Sequence, residues 1–216
     1  MRLGRFFRTC GALVLLGAAS VAAQQPEPKA APTNEQTIPS TVRSFIVADK
    51  RTDIKDPLNR TNKLHCLVCE NNLNPVVAVF ARAVPAPGAD EPLTKLTAEL
   101  KKLLADEKNK AQNFGSFIVF VALDKEFQTD DKRDIVAANV KTWGEAVGSG
   151  PIVLGLTGQS GEAVKSWNLN KEDDITVVLY HRMKMVQVPW KFEAGKMSDA
   201  DIKAIVAATQ SELAKK

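Results

Sequence analysis

Between Pro75 and Tyr180 the chain alternates short, unbroken apolar runs with stretches of helical periodicity, and that alternation limits the folds open to it. The runs are Val76-Val77-Ala78-Val79-Phe80, Phe117-Ile118-Val119-Phe120-Val121-Ala122-Leu123 and Ile152-Val153-Leu154-Gly155-Leu156. A continuous apolar run of this length marks a strand buried on both faces. A fourth strand is expected at Asp174-Ile175-Thr176-Val177-Val178-Leu179-Tyr180. Between the first two runs, Leu93, Leu96, Leu100, Leu103 and Leu104 recur at helical spacing and predict an amphipathic helix from about Glu91 to Lys108. Thr129 precedes a second helix, to about Val147, with Val136, Val140, Trp143 and Val147 on one face. Strands joined by such crossovers run parallel, so the chain is α/β, with a sheet covered by helices on both faces.

The flanks complete the pattern. Thr41 to Val47 is a first candidate strand, followed by a polar stretch from Ala48 to Lys63 with a turn signal at Asp56-Pro57. A short helical piece is expected from Gly161 to Trp167. His181-Arg182-Met183-Lys184 reads as a tight turn, after which Met185 to Trp190 returns as an antiparallel strand. Ser198, with Asp201 three residues on, caps a last helix that turns Ile202, Ile205, Val206, Thr209 and Leu213 inward.

The N-terminus has a different character. Arg2, Arg5 and Arg8 precede an apolar run from Cys10 to Ala19, and small residues lead to Ala23. This is the pattern of a cleavable secretory signal over 1–23, and the run is too short to span a bilayer. Residues 24–40, rich in Pro, Ala, Gln and Thr, are expected to be a flexible lead-in, with one domain over 41–216. The expected location is secreted or periplasmic. Losing three arginines takes the net charge from +4 to +1. A near-neutral surface speaks against nucleic acid, whose binding needs clustered Lys and Arg.

Of three cysteines, Cys10 lies in the signal, which leaves Cys66 and Cys69 in Lys63-Leu64-His65-Cys66-Leu67-Val68-Cys69-Glu70. In an oxidising compartment the spacing leaves three chemistries open: a redox pair, a structural clip, or half of a metal site. A protonated His65 would favour a Cys66 thiolate, whereas Glu70 would disfavour one, and a loop before a strand lacks a helix dipole. A structural bond across so small a ring stabilises by only about 2 kcal/mol, enough to fix a local turn. Zinc normally takes four ligands, and only His65 and His181 add nitrogens, at poor spacing, so no metal is expected. Covalent haem would need a His after the pair, and no other cofactor motif is present.

The element order resembles the thioredoxin fold in the longer form of exported redoxin and peroxiredoxin-like bacterial proteins of unassigned function. The resemblance is carried by Pro75 to Arg82, by Asp174 to Tyr180 and by the closing helix, and it covers roughly Phe45 to Leu213. It implies a mixed central sheet flanked by helices, with a C-terminal hairpin and helix. It also implies a CxxC or peroxidatic cysteine just after the central strand, yet Arg82 to Glu91 contains no cysteine. The cis-proline of that fold has no counterpart at Asp174 or Ile175.

Two functions follow as expectations. One is thiol–disulfide exchange with protein thiols or disulfides through a displaced pair, Cys66 attacking and Cys69 resolving. The other is a non-catalytic binding module with a structural Cys66–Cys69 bond and peptide contacts at a sheet edge or at Ala83–Asp90. His181 and Arg182 read as solvent-facing turn residues, Trp143, Trp167 and Trp190 as packing. Glu172-Asp173-Asp174 reads as a solvated strand entry, and Asp130-Asp131 as a helix first turn.

Overall fold

The computed structural model describes residues 36–39, 41–51 and 60–215. The signal segment, most of the lead-in and the turn signal at Asp56-Pro57 lie outside the described residues. In chain order the elements are β1 (Arg43–Ala48), β2 (Leu64–Cys66), α1 (Leu67–Asn71), β3 (Val76–Ala81), α2 (Pro92–Ala105) and α3 (Glu107–Lys110). They continue with β4 (Gly115–Ala122), α4 (Asp124–Phe127), α5 (Asp130–Val147), β5 (Val153–Gly158), α6 (Glu162–Ser166), β6 (Ile175–His181), β7 (Lys184–Met185), β8 (Trp190–Phe192) and α7 (Asp199–Leu213).

The sheet order is β2-β1-β5-β4-β3-β6-β7, with β8 also paired to β6. As the crossovers require, β3, β4 and β5 are parallel. The hairpin strands β6, β7 and β8 are antiparallel to their neighbours. Every residue of β3 is buried, and successive side chains enter opposite cores. Val77, Val79 and Ala81 meet α2, α5 and α7 through Leu96, Leu100, Val140, Trp143, Ile202 and Ile205. Val76, Ala78 and Phe80 meet Leu67 and Val68 of α1, Ala163 and Val164 of α6, and Trp167. Trp143 sits edge-on to Phe120, and Trp167 packs on Phe80 at 5.3 Å, so both are core residues.

Four departures have local causes. The helix expected to reach Lys108 ends at Ala105, because Asp106 turns extended and its carboxylate accepts the Lys108 N–H at 2.9 Å to start α3. The return strand expected over Met185–Trp190 breaks into β7 and β8, and Pro189, with no N–H to give to a ladder, lies in the gap. Part of the lead-in is docked: Ile38 is buried, Thr37 bridges Lys184, and Met185 donates to the Gln36 carbonyl at 2.8 Å. Finally, β2 and α1 stand where a loop is expected.

The last helix starts as its sequence predicts. Ser198 Oγ accepts the Asp201 N–H at 3.3 Å, and the Asp201 carboxylate accepts the Ser198 N–H at 2.8 Å. The Ser198 hydroxyl, which donates to the same carboxylate at 2.6 Å, and then the Ser198 N–H hold the Asp201 carboxyl below its usual value. Ser198→Ala is expected to cost about 1 kcal/mol, roughly 2–4 °C in melting temperature by scanning calorimetry.

Candidate functional site

Cys66 and Cys69 are joined as a disulfide with their Cα atoms 5.3 Å apart. Cys66 ends β2 in an extended conformation (φ −89°, ψ 100°), and α1 begins directly after it. Its Sγ stands in the capping position and accepts the backbone N–H of Cys69 at 3.1 Å. Leu67 and Val68, 0% and 1% exposed, anchor this turn in the core. Cys69 is exposed and Cys66 half-buried. The expectation of a cysteine pair on a loop is therefore corrected: the pair spans a strand end and the first turn of a short helix. The apolar Leu67-Val68 between the cysteines explains this, since burying both requires the chain to turn over the sheet.

A cluster of charges stands behind the disulfide. Glu70, whose side chain is 8% exposed, lies 2.7 Å from Arg51 and 2.7 Å from Arg60, and its other oxygen touches His65 Nε2. Arg51 also makes a forked contact with Asp49, through Nε at 2.9 Å and Nη2 at 2.5 Å. Burial works to raise the Asp49 carboxyl, but the hydrogen bonds and charge of Arg51, helped by Arg60, hold it below its usual value. Burial likewise works against the Arg51 cation, and Asp49 and Glu70 more than offset it. Glu70 thus faces cations, and the His65 ring is engaged with Glu70. Sequence reading names His65 and Glu70 but misses Asp49, Arg51 and Arg60. Arg51 and Glu70 are 19 residues apart, and no periodic signal links them.

The segment after β3, where the resemblance implies a cysteine, is built differently. After β3, Arg82 donates to the carbonyls of Leu169, Asn170 and Asp173 at 2.8–3.2 Å, which ties the end of β3 to the loop before β6. Beyond it a cavity of ≈160 Å³ is lined by Ala83, Pro85, Glu91, Asp174, Glu193 and Met197, among others, with no cysteine. Burial pushes the Asp174 carboxyl up, with Arg82 opposing. In the sheet, β1, β5 and β4 lie between β2 and β3. The cysteine pair and the Ala83–Asp90 segment therefore belong to different parts of the molecule.

His181 corrects the reading of a solvent-facing turn residue: its Nδ1 lies 2.7 Å from a Glu212 oxygen in α7. Lys215 donates to the other Glu212 oxygen at 2.6 Å. Burial works to raise the Glu212 carboxyl, but Lys215 and His181 carry it below its usual value of 4.5. A carboxyl depressed on folding stabilises fully above its unfolded value, and that stability is lost as pH falls through the lower folded value. Glu212→Gln should accordingly flatten the fall in melting temperature between about pH 6 and pH 3.

Asp173 pairs with Lys191 at 3.1 Å and Asp130 with Arg133 at 2.9 Å. Among the described residues no group of three His, Cys, Asp or Glu is placed to hold a metal ion, and no helix is long and apolar enough to cross a membrane.

No family model and no curated protein matches the chain. Solved structures do. A candidate thioredoxin reductase from Burkholderia cenocepacia aligns at TM-score 0.53 and 10% identity, over 80% of this chain and 95% of that one. A thiol peroxidase from Chromobacterium violaceum aligns at 0.52 and 11%, over 82% and 86%. An uncharacterized conserved protein from Geobacillus kaustophilus aligns at 0.52 and 13%, over 84% and 82%. With the parallel β3-β4-β5 core and antiparallel β6, these show that the chain has a thioredoxin-like fold.

Proposed function

We propose that this is an exported thiol–disulfide exchange protein that uses Cys66 and Cys69 at the edge of its sheet. One observation carries the reading: Cys69 is open to solvent, while the sulfur it is bonded to accepts a backbone N–H. An incoming thiolate has access to Cys69, and the departing Cys66 sulfur has a donor waiting for its negative charge. The neighbouring protein described as a thiol peroxidase makes thiol chemistry a natural use of the fold, although fold alone does not assign it. Export rests on the basic, apolar and small-residue pattern of residues 1–23. The test is disulfide reductase activity with dithiothreitol as electron donor. It should be present in the wild type and lost in a Cys66→Ser variant that remains folded; a variant of undiminished activity would reject the reading.

A second reading keeps the pair structural. Its support is that the bond closes the first turn of α1, beside a Glu70–Arg51–Arg60 cluster that also fixes this segment. The protein would then be a non-catalytic thioredoxin-fold binding module.

A further inference from the structure

We propose that the outer edge of β2 docks an extended, acidic, cysteine-bearing segment of a client protein as an added strand. This deepens the exchange reading and rests on it. The two ends of the sheet are unequal. At the β7 end the chain covers its own edge, because Met185 donates to Gln36 and Ile38 donates to Met183. At the β2 end no described residue pairs with the outer side.

The register fixes what that side offers. Arg43, Ser44 and Phe45 face Cys66, His65 and Leu64. Ile46 donates to Lys63 and Leu67 donates to Val42, so Lys63, His65 and Leu67 turn their backbone groups toward β1. Leu64 and Cys66, of opposite parity, turn theirs away. The Leu64 N–H and C=O and the Cys66 N–H therefore form a short rail for a further strand, which ends at the disulfide. Added strands gain affinity from main-chain hydrogen bonds and selectivity from alternate side chains. Leu64 is 68% exposed and lies on the same side of β2 as Cys66, which gives the guest strand an apolar contact.

Charge selects the guest. Arg43 lies opposite Cys66 and Lys63 immediately precedes β2; both are exposed, and neither has an acidic partner within 4.0 Å among the described residues. The nearby carboxylates Asp49 and Glu70 are already engaged by Arg51 and Arg60. A client with acidic residues flanking its cysteine meets two cations that no described carboxylate engages, whereas a basic client meets repulsion.

The step balances as an exchange. The client thiolate attacks Cys69 Sγ, the Cys66–Cys69 bond breaks, and Cys66 leaves as a thiolate that accepts the Cys69 N–H. A second client thiol then attacks the mixed disulfide, releasing a client disulfide and the reduced pair.

The experiment uses the full oxidised chain and a short synthetic peptide, a cysteine flanked by valines with glutamates outside them. Mixed-disulfide formation is followed by mass against the rate with dithiothreitol. Leu64→Pro deletes an N–H that faces away from β1, and should slow the peptide about tenfold while leaving the dithiothreitol rate unchanged. The same peptide N-methylated on either side of its cysteine should be slowed comparably on the wild type, a readout independent of how the variant folds. A lysine-flanked peptide should react more slowly, with the order reversed by Arg43→Glu with Lys63→Glu. Equal rates for methylated and unmethylated peptides would overturn docking while leaving exchange standing. So would a wild-type dimer that Leu64→Pro dissociates, since the edge would then belong to a second copy. Failure of dithiothreitol to open the disulfide would reject the exchange reading, and the docking with it.

Discussion

Cys66→Ser and Cys69→Ser are each expected to lower disulfide exchange by at least about 100-fold, with different residual chemistry. A single remaining thiol forms a mixed disulfide that nothing within the protein resolves. Cys66→Ser leaves the exposed Cys69, which should accumulate as a stable adduct with a peptide or a small disulfide. Cys69→Ser leaves the half-buried Cys66, which should be labelled more slowly. On the exchange reading, exposure favours Cys69 as the entering sulfur and Cys66 as the leaving one, whereas proximity to His65 favours the reverse. The His65 ring is also engaged with Glu70. Intact-mass labelling of the two variants checks the order; faster labelling of Cys66 would restore the reverse one. The stability cost should be limited, since closing this small ring contributes only about 2 kcal/mol.

Glu70→Ala should lower the melting temperature by roughly 6–12 °C, corresponding to about 3 kcal/mol. The carboxylate is 8% exposed between two arginines whose side chains are 16% and 18% exposed. Removing one partner of a buried ionic cluster leaves the others uncompensated, which costs about 3–5 kcal/mol when burial is complete. Partial access of water to Arg51 and Arg60 puts this case at the low end. Arg51 retains Asp49 at 2.5 Å, whereas Arg60 keeps only a 4.0 Å approach to it. Arg60 is therefore the group left uncompensated. Glu70→Gln should fall between wild type and Glu70→Ala, because the amide oxygen can still accept from the arginines. Calorimetry on the three proteins checks the order, and a change below about 1 kcal/mol would mean that the cluster behaves as an ordinary surface pair.

The scaffold was legible because its signals are local. Val76–Ala81 and the Leu93–Leu104 stripe each carry their own periodicity, and strand alternation fixes which strands run parallel. Ser198 and Asp201 announce a helix start within four residues. The site was legible only in its cysteines. β2 has three residues and α1 five, too few for a period to show. What makes them form is tertiary: Leu67 and Val68 fill a core built with residues of β1, β3, β4, β5, β6 and α6, among others. The ions around Glu70 converge from Asp49, Arg51 and Arg60, in a stretch that reads only as polar. The docked Gln36–Ile38 segment was hidden in the same way, since one isoleucine in a Pro- and Thr-rich stretch carries no periodic signal. The likeness to the thioredoxin fold drew attention to Arg82–Glu91, whereas the disulfide lies beyond three intervening strands.

The most direct test of the central claim is the reduction potential of the Cys66–Cys69 pair, obtained by equilibrating the protein in glutathione buffers and reading thiol content by mass. A thiol-exchange role predicts a value above roughly −270 mV, in the range of dithiol exchange proteins. A value below about −300 mV would mark a structural bond and contradict it, leaving the binding module as the function of this fold.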